Sequence, residues 1–200
     1  MAADIRFSTP RADALGLATA RSASGLTVSR LPNGSIFEIG HRDDQGAVMI
    51  NQVLGSPVGD GIGRIVLRRD ADAPVTTIMG GEAESRLGAA EDGFLFEGER
   101  DGIGHSVELR LDPEIAALFF RVTLENRSGT PFAFDLVLAQ DIGLGGRGFL
   151  MGSEAYASQY IDHHPASHAR YGPVVMCRQN LKQGARNPWL AVGGLDGAAA

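Results

Sequence analysis

One cysteine in 200 residues, Cys177, excludes an intrachain disulfide framework. It sits among Val174, Val175 and Met176, a setting for a small buried hydrophobe rather than for a nucleophile with a partner base. Lysine is as scarce, since Lys182 is the single lysine among 18 basic residues. The arginines are spread evenly, and with a net charge of −6 and a pI of 5.3 the chain lacks the clustered basic face that nucleic-acid phosphates require. Nucleic acid is therefore not expected as a partner. Long apolar runs are missing too, and none approaches the length of a membrane span. The start, Met1 to Pro10, has neither the basic end nor the apolar stretch of a secretory signal. The expectation is a chain without membrane contact, in the cytoplasm.

What is present suits a packed β domain. A hydrophobic content of 44% supplies a substantial core for one domain, or for a large fragment of something longer. The apolar period is two: in His105 to Leu111, Val107, Leu109 and Leu111 fall on one face while Ser106, Glu108 and Arg110 fall on the other. Comparable runs at 35–41, 48–54, 63–69, 94–100, 118–125, 132–141 and 174–178 are rich in β-branched and aromatic residues. Asn33-Gly34, Asp92-Gly93 and Asp101-Gly102 offer the positive φ of two-residue hairpin turns, and 126–131 reads as another hairpin connection.

In the run after that connection, Phe132, Phe134, Leu136 and Leu138 face one way and Ala133, Val137 and Ala139 the other, which predicts a central strand covered on both sides. Many strands, few helical patterns and 27 glycines predict an all-β antiparallel β-sandwich over 26–200, with a core of Val107, Leu109, Leu111, Val122, Leu124, Phe134, Leu136 and Leu138. A closed barrel is the alternative. Residues 1–25 read as a weakly ordered lead-in, or as a short helix from Arg11 to Arg21. After Trp189 to Val192 comes a Gly/Ala tail with no closing strand, so the expectation is a sandwich truncated at its C-terminal side. An under-covered apolar surface at Trp189, Leu190 and Val192 would follow.

Chemistry concentrates between Ala139 and His164. Glu154, Tyr156, Gln159, Tyr160, Asp162, His163 and His164 fall within one loop's length after a strand-like run. Aromatic rings beside carboxylate, amide and imidazole suit a sugar, whose ring C–H patches need apolar faces and whose hydroxyls need planar polar partners. Three other motifs carry less. Gly143 to Gly148 fits G-x-G-x-x-G, but a dinucleotide fingerprint needs parallel strands around a helix, and the antiparallel pattern here reads the glycines as a turn. Asp162, His163, His164 and His168 resemble metal ligands, yet Pro165 breaks the helix that would align His164 with His168. Glu154 with Asp162 could serve as paired carboxylates for glycoside cleavage, a weak signal in a chain with 24 acidic residues.

Beyond these motifs, the ordered series 31–37 (LPNGSIF), 49–55 (MINQVLG), 140–144 (QDIGL), 154–163 (EAYASQYIDH) and 175–180 (VMCRQN) resembles the N-terminal region of inverting glycoside phosphorylases. It is most similar to the 1,2-β-oligoglucan phosphorylase branch of the group containing cellobiose phosphorylase and cyclic β-1,2-glucan synthase, over about residues 26 to 192. The resemblance implies a galactose-mutarotase-like supersandwich followed, in the family, by a helical linker and a catalytic (α/α)6 barrel that this chain lacks. It implies no organic cofactor and no metal, with inorganic phosphate as co-substrate of the parent enzyme, displacing a β-linked glucosyl unit with inversion while one carboxylic acid protonates the leaving oxygen.

No residue here matches that acid. The implied partners are a β-glucan oligosaccharide, the missing α-helical barrel and a second copy in a homo-oligomer, and the implied substrate-facing residues are Tyr156, Gln159, Tyr160, Asp162 and His163. Three functions stand: a sandwich domain of a β-glucan phosphorylase, inactive alone; an autonomous carbohydrate-binding module; or a small hydrolase or epimerase using the Asp162 and His164 region.

Overall fold

The computed structural model describes residues 15–55, 63–69, 75–131 and 133–195. They form, in chain order, β1 (Ala18–Arg21), β2 (Leu26–Arg30), β3 (Ile36–Asp43), β4 (Gly46–Met49), β5 (Gly63–Arg68), β6 (Thr76–Met79), β7 (Arg86–Ala90), β8 (Gly93–Arg100), β9 (Ile103–Leu111), β10 (Leu118–Asn126) and β11 (Asp135–Gln140). Two short helices, α1 (Arg147–Gly152) and α2 (Glu154–Ser158), lead to β12 (Ile161–His168), β13 (Gly172–Gln179) and β14 (Trp189–Gly193). The chain divides into two compact units, Met1–His41 with Leu54–Asp141, and Arg42–Val53 with Ile142–Ala200. The architecture is the expected all-β antiparallel sandwich and not a barrel.

In the first unit β1, β2 and β3 run side by side, β7 to β10 make a meander in the order β10-β9-β8-β7, and β5 lies between β11 and β6. The layers are joined where the Arg21 N–H donates to the Glu91 carbonyl at 2.9 Å and the Ser24 hydroxyl donates to the Asp112 carbonyl at 2.9 Å. Between them Val28, Leu67, Ile78, Phe96, Val107 and Leu109 are buried, each favouring the fold by roughly 1.5–3 kcal/mol over its exposed state. The period-two pattern of β9 is the clearest local cause, since Val107, Leu109 and Leu111 all face this core. Its hairpin with β8 turns at Asp101-Gly102, both with positive φ (53° and 74°), as the sequence predicts. At the β7–β8 hairpin the turn is instead Glu91-Asp92, and Gly93 is already the first residue of β8.

Four expectations need correction. β1 occupies part of the possible helix from Arg11 to Arg21, because Ala18 to Arg21 pairs with Thr27 to Arg30; residues 1–14 lie outside the described set. The connection at 126–131 does not close a hairpin: β10 pairs with β9, and β11 pairs antiparallel with β5. β11 is not central either, but an edge of its sheet. Phe134, Leu136 and Leu138 are accordingly 41–46% exposed rather than core, with Val122 and Leu124 half-buried on edge strand β10. Apolar alternation reports which faces a strand could bury; coverage depends on neighbours, and no described element covers β11. Phe132 lies outside the described residues.

Two buried polar groups in this unit differ in how well they are satisfied. Arg30 is buried with its guanidinium 5.1 Å over the Phe94 ring; one amino group donates to the Leu31 carbonyl at 2.9 Å, while Nε has no partner. His105 is better placed. Its Nε2 lies 3.0 Å from the Ser85 hydroxyl, which donates to the Ile78 carbonyl at 3.3 Å, so Nε2–H of a neutral imidazole is the donor to Ser85.

Burial pushes the His105 pKa below its ordinary 6.5. Because the folded pKa is the lower one, the unfolded chain binds more protons as pH falls through 6.5, and the histidine's contribution is full above that pH and lost below it. Thermal melts from about pH 8 to about pH 5 should show a loss of stability that His105→Gln, which still donates to Ser85, reduces. An unchanged pH slope in that variant would show that His105 is not the titrating group.

Candidate functional site

The second unit places the residues singled out between Ala139 and His164. Gly143 to Gly145 runs against Met49 and Ile50: the Met49 N–H donates to Gly145 O at 2.8 Å, the Gly145 N–H returns to Met49 O at 3.1 Å, and the Gly143 N–H reaches Ile50 O at 2.8 Å. A side chain at Gly143 would meet the Asn51 carbonyl and a Leu150 methyl at 2.7 Å. Gly143 and Gly145 therefore serve close approach, to Asn51 and to Leu150. An Arg186–Asp43 ion pair in the same unit ties the segment from Gln183 to Arg186 to the turn before β4.

Gln179 anchors the unit from inside. Fully buried, it donates to the Gly143 carbonyl at 3.2 Å and the Ala157 carbonyl at 3.1 Å, and its Oε1 accepts from the Leu181 N–H at 3.1 Å. One side chain thus fixes the glycine segment, α2 and the exit of β13 together.

The five candidate residues do not gather at one point. Tyr156 on α2 and Tyr160 just beyond it form an aromatic pair with ring centroids 4.9 Å apart and planes at 57°, and Tyr156 is half exposed. A hydrogen bond with Tyr156 raises the Tyr160 phenol pKa, and the pair offers hydroxyls and apolar ring surface. Gln159 is the exposed C-cap of α2, and the Glu154 side chain lies outside the described residues. The stretch from Glu154 to His164 is a helix running into a strand rather than a loop.

Asp162 and His163 are neighbours on β12 and so project to opposite sides. His163 turns toward the covered side, with Nδ1 3.2 Å from the Cys177 thiol. Cys177 is buried, as expected, and burial raises its thiol pKa, which keeps it protonated and suits an S–H to Nδ1 contact rather than nucleophilic chemistry. Asp162 takes the other side, where its Oδ2 accepts from Asn180 Nδ2 at 2.7 Å. Asn180 also binds the Tyr160 carbonyl through its main-chain N–H at 2.8 Å, so one asparagine holds the tyrosine pair and the carboxylate in fixed relation. The metal-like cluster is split by the same alternation, with Asp162, His164 and His168 on one side and His163 on the other. No group of three or more metal-type side chains forms among the described residues.

Sequence reasoning missed two residues that share a row of the sheet with Asp162. β13 pairs with both β12 and β14, and the registers place Asp162, Arg178 and Trp189 in one row across the sheet, followed by His164, Met176 and Ala191. All six are exposed, Trp189 at 65%; on the opposite side Ile161, Gln179 and Cys177 are buried, while His163, Pro165 and Val175 are exposed. Leu190 and Val192, expected in an under-covered surface with Trp189, are half-buried on that opposite side. The strand at 174–178 was legible, but 189–192 reads in sequence only as an apolar segment before a tail, and its pairing as β14, with Trp189 opposite Arg178, was not.

An antiparallel all-β sandwich with aromatic and planar polar groups on the surface of its second unit defines a fold class and a candidate site, not yet a family relationship. The comparison of sequences makes the relationship definite: residues 29–200 match the SOGP N-terminal domain, and the chain belongs to that family. It is 28% identical over 170 residues to a 1,2-β-oligoglucan phosphorylase of Listeria innocua serovar 6a, a match covering 85% of this chain and 15% of that protein. The chain thus spans a small part of this relative's length. No helix among the described residues is long and apolar enough to cross a membrane.

Proposed function

We propose that this chain is the non-catalytic N-terminal sandwich domain of a β-oligoglucan phosphorylase-type protein, one that cleaves β-linked glucooligosaccharides with inorganic phosphate. The observation that carries the reading is the match over residues 29–200, joined by the 28% identity to the phosphorylase. In this reading the general acid and phosphate site belong to a separate helical barrel, and the sandwich supplies surface for that barrel and for the glucan.

Two carboxylates of this chain are poorly suited to serve as that general acid. A general acid for the leaving oxygen works best with a pKa raised toward neutrality. Asp112 and Glu125 move the wrong way: backbone N–H groups of Ile115 and Glu114 hold Asp112 below the ordinary carboxylate value, and Arg127 does the same to Glu125. Asp162, two residues beyond Tyr160, is engaged as a hydrogen-bond acceptor by Asn180. Of the candidate substrate-facing residues, Tyr156, Tyr160 and Asp162 are the group Asn180 draws together; Gln159 sits at their margin and His163 faces Cys177.

Incubation of the chain with β-1,2-glucooligosaccharides, with and without inorganic phosphate, tests the division. Neither glucose 1-phosphate nor hydrolysis is expected. Release of the sugar phosphate would place the acid within this chain and overturn the reading, and phosphate-independent cleavage would replace it with a hydrolase.

A further inference from the structure

We infer that the exposed face of the β12–β13–β14 sheet is a binding surface for a β-glucan chain, with Trp189 as the stacking platform and Arg178, Asp162 and Asn180 as its polar readers. The inference rests on the glucan-phosphorylase reading for the identity of the sugar; the surface itself rests on geometry. The registers Asp162↔Arg178↔Trp189 and His164↔Met176↔Ala191 put an indole, a guanidinium, a carboxylate, an imidazole and two apolar side chains on one side of three strands. From β14 to β12 the row spans about 10 Å, two inter-strand spacings, which is the reach of a disaccharide.

Each member is in the state a sugar site needs. Trp189 is 65% exposed, unusually open for the largest apolar side chain, and an indole face matches the C–H face of a pyranose. The Arg178 side chain, between the indole and the carboxylate, makes no hydrogen bond or ion pair among the described residues, so its planar donors are available to hydroxyls. Asp162 is oriented by Asn180 through one oxygen, which leaves the other as an acceptor. Asn180 is itself held by its main chain, donating to the Tyr160 carbonyl at 2.8 Å while its own carbonyl accepts from Asn187 Nδ2 at 2.9 Å. A donor, an acceptor and a stacking ring in one row, with the carboxylate braced from behind, suit a neutral polyhydroxylated ligand. An anion would meet Asp162, and a purely apolar partner would have to desolvate Arg178 without replacing its water.

The sequence provides its own reporter, because Trp189 is the sole tryptophan. Titration of the chain with β-1,2-glucooligosaccharides should give a saturable change in tryptophan emission and a matching calorimetric heat. Arg178→Ala and Asp162→Ala should each weaken the emission-detected affinity by about fivefold to tenfold, the latter being about 1.4 kcal/mol. By calorimetry, Trp189→Ala should weaken binding by at least about tenfold, while Trp189→Phe, which keeps a stacking ring, should lose less.

Ser167→Ala, on the opposite side of β12, should bind as the unaltered chain does. Calorimetric binding with silent tryptophan emission would place the sugar elsewhere and overturn the inference. So would no binding at all, although the sandwich-domain reading would survive that result. Emission that shifts with protein concentration but not with sugar would show that a second copy covers this face. Glucose 1-phosphate formation would instead remove the domain reading and leave the surface to be judged by its own titration.

Discussion

Leu109→Ala is expected to destabilise the first unit by about 2–5 kcal/mol, whereas the chemically identical Leu136→Ala should cost well under half as much. Leu109 is fully buried in the middle of β9, so truncation removes its transfer energy and leaves a cavity that neighbours fill only in part. Leu136 is 46% exposed on edge strand β11, where solvent already reaches the methyl groups that alanine would lack. Urea unfolding followed by circular dichroism measures both in the same protein. Equal costs would mean that β11 is covered in solution, by a second copy or by further polypeptide.

Gln179→Leu should be the most damaging polar substitution, at about 3 kcal/mol or more. Leucine fills much of the same volume but strips the Gln179 partner from the Gly143 carbonyl and the Leu181 N–H, and one donor from the Ala157 carbonyl, which keeps the Tyr160 N–H at 3.3 Å; a buried backbone group left unpaired costs about 1–3 kcal/mol. Because those groups belong to the glycine segment, to α2 and to the exit of β13, the loss should appear as faster amide exchange around Ala157 as well as a lower midpoint. A cost below about 1 kcal/mol would mean that water takes over all three roles.

The parts of the fold legible in the sequence are those with local causes. β8, β9 and their turn are written in period-two alternation and in Asp101-Gly102, which needs no distant partner to form. Pairings between distant segments were not legible: the alternation of 132–141 is equally compatible with a hairpin to β10 and with the observed ladder to β5. β12 escaped notice because Pro165 and three histidines obscure its strand pattern. The proline is tolerated because β12 is an edge strand of its sheet. The site divides in the same manner. Tyr156, Tyr160 and Asp162 were visible as a cluster of suitable chemistry, but the separation of Asp162 from His163 and its alignment with Arg178 and Trp189 arise only from strand phase and register.

The position of β11 also bears on the order in which the chain acquires its structure. Hairpins such as β8–β9 close a short loop and form on the microsecond scale, whereas Leu136 must reach back past β6 to β10 to meet Leu67, and that closure pays its entropy before any contact is returned. During synthesis β5 therefore leaves the ribosome well before its partner exists. Its buried residues Ile65 and Leu67, and later the apolar β11 itself, pass through a period in which another chain's strand would serve as well as the native one. The yield of folded protein should then depend more on chain concentration and temperature during expression than on the final stability of the sandwich.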